Sequence, residues 1–141
     1  MKAAFVALAF VASAFAQAVT IPQPPAGSTQ TAGVTIPVVV EKIASLTGST
    51  DVSVAIGIQN CPTGDCSNIP ESDIGTILFT GAYSPQRNED GKDIESYLLG
   101  IPSDLPNGLA LLSVAHFYIL GASNMAELDI AHTTINIIGS S

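Results

Sequence analysis

Ile101-Pro-Ser-Asp-Leu-Pro-Asn-Gly108 runs directly into Leu109-Ala-Leu-Leu-Ser-Val-Ala-His-Phe-Tyr-Ile-Leu-Gly-Ala122, and how this stretch is read decides the fold. Pro102 and Pro106 lock φ and remove amide donors, which bars a helix there. Asn107-Gly108 tolerates positive φ, so the first half is a corner between strands. From Leu109 to Leu120 both alternating sets of side chains are almost wholly apolar. That is the pattern of a strand covered on both sides or lying at the centre of a sandwich sheet. A helix of the same length competes with it. The β-branched and aromatic residues suit a pleated surface, and no N-cap with an acidic first turn precedes Leu109, so the strand is preferred.

Working outward, Ile94 to Ile101 forms the preceding strand, with Tyr97, Leu99 and Ile101 on one face and Glu95 leaning toward water. After a connection at Ser123 to Glu127, Leu128 to Ile138 forms the last strand. Upstream, Gly75 to Gly81 is a short strand framed by glycines. In Asp51 to Ile58, Val52, Val54, Ile56 and Ile58 alternate with Asp51, Ser53, Ala55 and Gly57, a half-buried strand with the first set facing the core. Val34 to Ile43 is β-branched and apolar, and Pro37 asks for an edge or a bulge there. The proline-rich segment 17–32 permits a short edge strand at Val19 to Ile21 and otherwise reads as turn or linker. Gln59 to Ile74 is the longest irregular stretch. The count is six or seven strands, and no amphipathic helix interrupts them. The expectation is an all-β, antiparallel sandwich of immunoglobulin or fibronectin-III type over residues 33–141.

Composition narrows the function. In 141 residues, acids outnumber bases twelve to four, and the bases Lys2, Lys42, Arg87 and Lys92 form no cluster. Neither nucleic acid nor an anionic membrane surface is an expected partner. Met1-Lys2, the apolar run Ala3 to Ala12 and Ser13-Ala14-Phe15-Ala16 read as a secretory leader cleaved after Ala16, with cleavage after Ala18 as the competitor. The leader is too short to span a bilayer, which takes about 20 apolar residues. The C-terminus, Ile137 to Ser141, is not expected to carry a GPI anchor. In the oxidising compartment this implies, Cys61 and Cys66 are expected to form a local disulfide across Pro-Thr-Gly-Asp. A zinc or redox pair is disfavoured, because no second Cys pair or adjacent His exists and the spacing is not C-x-x-C.

Chemistry has little to work with. The histidines, His116 and His132, lie in strands and read as packed or cross-strand polar residues. As metal ligands they would need neighbouring strands and help from Asp129, Glu127 or the N-terminus. Glu89, Asp90 and Asp93 lack EF-hand spacing, and their charge run reads as a solvated loop tip, with a partner-binding patch as the lesser reading. No nucleophile elbow, P-loop or H-E-x-x-H motif is present. Sugar stacking would fall to Tyr83, Tyr97 and Tyr118, since the chain has no Trp, and Tyr83 is the one expected to be exposed. The expectation is therefore no catalytic, cofactor or metal site.

Gly75-Thr76-Ile77-Leu78, Gly81-Ala82-Tyr83-Ser84-Pro85, Ile101-Pro102, Leu105-Pro106-Asn107-Gly108 and Ala110 with Leu112 carry a family resemblance. So do Phe117-Tyr118-Ile119-Leu120-Gly121-Ala122, Leu128 and Thr134-Ile135-Asn136-Ile137. Over roughly Gly33 to Ile138 the chain resembles the necrosis-inducing secreted protein family of small fungal effectors. The resemblance implies a secreted, non-enzymatic protein of the host apoplast or host cell. Its implied partners are host receptor-associated kinases of pattern-triggered immunity, and cell death is a further outcome. The alternative is a cell-surface or carbohydrate-binding structural protein of the fungal wall.

Overall fold

The computed structural model describes residues 18–44 and 48–139. The expected leader, 1–16, lies outside them. Nine strands and no helix make up the described residues: β1 (Val19–Gln23), β2 (Thr29–Thr31), β3 (Thr35–Lys42), β4 (Ser49–Asn60), β5 (Thr76–Ala82), β6 (Gln86–Arg87), β7 (Asp93–Gly100), β8 (Gly108–Leu120) and β9 (Met125–Ile138). They form two sheets, β1-β3-β7-β6 and β2-β9-β8-β4-β5. One core joins them, with Val38, Val40, Tyr97 and Leu99 from the first sheet meeting Ile56, Ile58, Leu112, Val114 and Ile135 from the second.

The long strand is where its composition puts it. β8 runs between β4 and β9, and Ala110 through Val114 are all buried. Leu112 and Val114 enter the core while Leu111 and Ser113 point to the other face, which is covered as well. Part of that cover is the segment returning from the Cys61 loop, for the Ile74 carbonyl oxygen lies over Gly57, the β4 residue paired with Ser113. A Cβ at Gly57 would collide with it, so glycine is required by close backbone approach.

Three expectations need correction. Two short strands, β2 and β6, bring the number to nine rather than six or seven. β2 pairs with β9 in parallel, so the sheets are not purely antiparallel. The segment expected to be mostly linker supplies a strand to each sheet and buries Val19, Ile21 and Ala32. No local hydrophobic period announces a three-residue strand, because its hydrogen bonds are with the far end of the chain.

Pro37 is instructive in the same way. β3 is an interior strand, yet its register with β1 reaches only from Val39 to Lys42. At Pro37 the chain is therefore a local edge, paired on one side with Leu98, and the missing N–H costs no ladder bond on the other.

Candidate functional site

One end of the core is closed by a polar layer that a β-bulge creates. β4 shifts register against β8 between Asp51 and Ser53, so Asp51 pairs with Tyr118 while Val54 pairs with His116. The extra residue reverses the facing of everything before it. Val52, expected in the core, is 39% exposed, and Asp51, expected outside, turns inward. Its carboxylate accepts from Lys42 Nζ through Oδ2 at 2.7 Å and meets His116 Nε2 through Oδ1 at 3.0 Å.

His116 is 1% exposed. Burial pushes its imidazole below the ordinary value, against the upward pull of Asp51 and Asp129. A neutral ring facing a carboxylate through Nε2 carries its proton there, and Nδ1 is buried without a partner. Tyr118 stacks on the ring at 4.9 Å, and Tyr83 meets it edge-on at 5.1 Å. The Tyr83 hydroxyl donates to the Val40 carbonyl across the sheets, and burial, followed by the surrounding carboxylates, pushes it well above the usual phenol range. Ser84 N donates to Glu95 Oε2 in a solvent-exposed bond; Glu95, half-buried, shares the face of β7 with Tyr97 and Leu99 at the end of the core. Ala18 N donates to Asp129 Oδ2 at 2.6 Å. Chemically this layer ties the sheets together, with Lys42 from one and Asp51 and His116 from the other.

The two histidines do not converge. His116 shares the core face of β8 with Val114, whereas His132 pairs with Ser113 on the opposite face, its Nδ1 2.7 Å from Ser113 Oγ. Among the described residues no group of three or more His, Cys, Asp and Glu side chains is placed to hold a metal ion. Cys61 and Cys66 are joined in a disulfide. Tyr83, the tyrosine expected at the surface, is 2% exposed, because the bend after β5 folds it inward; Tyr97 is buried too. Both are therefore lost to ring stacking.

What the surface offers is the outer face of the four-stranded sheet. Pro37, Val39 and Glu41 of β3 stand there beside Leu98, Ser96 and Ile94 of β7 in cross-strand register. Leu98 is 77% exposed. A groove of about 290 Å³ opens over Val39 and Ile94, walled by Pro22 on one side and by Asn88, Asp90 and Lys92 of the charged hairpin on the other, with Glu41 of β3 beside Lys92. This hairpin is solvated, as its charge run predicts. Its bases are also paired, Arg87 with Asp93 at 3.2 Å and Lys92 with Glu41 at 3.3 Å. With Lys42 held by Asp51, every base among the described residues has an acid partner.

The disulfide is of the kind found in oxidising, extracellular settings. Among the described residues no helix is long and apolar enough to cross a membrane. The family model of the Nis1 family matches residues 12–136. The chain belongs to the Nis1 family, a fungal necrosis-inducing, effector-like family. No curated protein matches the chain.

Proposed function

We propose that this chain is a secreted, non-enzymatic effector that binds receptor-associated kinases of plants, dampens pattern-triggered immunity and can provoke cell death. Family membership over residues 12–136 is the observation that carries the reading. The disulfide supports passage through an oxidising compartment. Strand order supports an immunoglobulin-like topology: lettered along the chain it reads A-B-E-D facing A′-G-F-C-C′, where A′ is the parallel strand β2.

Hydrogen bonding also bears on where the leader is cut. Ala18 donates its N–H to Asp129 and accepts from Ile43 N through its carbonyl. Cleavage after Ala16 keeps both bonds, and cleavage after Ala18 removes both. N-terminal sequencing of the secreted protein is expected to begin at Gln17.

Calorimetric titration of the purified protein against cytoplasmic domains of plant co-receptor kinases and their partner kinases tests the function. Saturable binding is expected. Failure to bind any of them, with retention on chitin or glucan instead, would replace this reading with a wall-associated carbohydrate-binding one.

A further inference from the structure

We propose that the outer face of the four-stranded sheet is the contact surface, and that its occupant is a protein segment presenting an apolar side chain flanked by Lys or Arg. This rests on the reading of the chain as an interaction protein and names the surface and partner chemistry.

Shape and charge argue it together. The floor of the groove, Val39 and Ile94, is apolar and half-buried, and it continues along the sheet to Pro37 and the nearly naked Leu98. Its volume suits one or two side chains rather than a cofactor. The corresponding face of the other sheet is different at its centre, where Leu111 and Ser113 are already covered. Around the groove the balance of charge is negative. Arg87 and Lys92 are spent on Asp93 and Glu41, which leaves Asp90 of the groove wall, and Glu89 next to it at the hairpin tip, with no base among the described residues. A partner that fills the groove therefore gains by bringing cations to its rim. A second copy of this chain would bring the same acids, on a protein of formal net charge −8, and be repelled.

The test uses isotope-labelled protein and two synthetic peptides, one with two leucines flanked by lysines and one with glutamates replacing those lysines. The lysine peptide is expected to shift the amides of Val39, Ile94 and Leu98 saturably, and the glutamate peptide to bind at least tenfold more weakly. Leu98→Asp and, separately, Asp90→Lys should each weaken the lysine peptide at least fivefold while the spectrum keeps its dispersion. Leu128→Asp, on the exposed outer face of the other sheet, should change nothing. Absent or equal binding of the two peptides, shifts confined to the other sheet, or self-association abolished by Leu98→Asp would each overturn the proposal. Kinase domains that ignore a protein whose groove takes the lysine peptide would sink the proposed function alone. Kinase domains that bind wild type and Leu98→Asp equally would sink the groove alone.

Discussion

The polar layer inside the sandwich and the charged groove on its outer face are built from the same residue types, and they end differently. At the inner end Asp51 holds both Lys42 Nζ and His116 Nε2 within a few ångströms, behind Tyr83 and Tyr118. On the outer face the bases are again matched, but Glu89 and Asp90 remain over and the apolar floor stays open. A charge that must leave water needs its partner in the same chain, because an unpaired buried group costs about 1–3 kcal/mol. A charge that stays in water needs none and is free to serve a second molecule. The inner set therefore maintains the fold, and the outer set is available for recognition.

Making one chemical change in both places is the most direct way to break this contrast. Asp51→Ala leaves the His116 Nε2 donor without its acceptor and is expected to cost about 1–3 kcal/mol in urea unfolding. Asp90→Ala, at the hairpin tip, is expected to stay within about 0.5 kcal/mol. Equal effects would dissolve the distinction. Replacing Cys61 and Cys66 together by serine should lower stability by about 2 kcal/mol, since the closed loop is short; a loss well beyond that would mean the loop also anchors the cover over Gly57.

Acid sharpens the contrast further. Because burial holds His116 below its unfolded value of 6.5, the native state takes up fewer protons than the unfolded chain as pH falls. This contribution is complete above about pH 6.5 and is lost as the pH drops toward the folded value. Asp51, Lys42, Asp129, Tyr83 and Tyr118 are the titratable groups facing the ring. Denaturation midpoints between pH 7.5 and 5 should fall in the wild type and fall less steeply in His116→Gln. Parallel slopes would remove His116 from the account. At Leu98 the expected effect on stability is as small as at Asp90. Leu98→Asp should leave the midpoint within about 0.5 kcal/mol while binding at the sheet face is lost.

Much of the architecture was legible in residue patterns. The apolar run after Asn107-Gly108 is the central strand, the Pro-rich corner lies between β7 and β8, and each longer expected strand is present. Neither part of the contrast was. Asp51 was assigned outward by strict alternation, which a single bulge reverses. Tyr83 lies in a loop, as expected, but it is buried rather than exposed, because its hydroxyl crosses the core to Val40. Glu89 and Asp90 could not be told from paired acids, because their neighbours' partners, Asp93 and Glu41, lie on other strand positions that only the fold brings close.

By itself the sequence determined an all-β chain, the segments that become its longer strands and the cysteines available for one short bridge. These follow from period-two hydrophobicity and turn chemistry, which act over a few residues. Tertiary structure alone decided that β2 joins the last strand in parallel, that Asp51 faces His116 and that a groove stays open over Val39 and Ile94. Those outcomes depend on register between distant strands, where one inserted residue exchanges inside for outside.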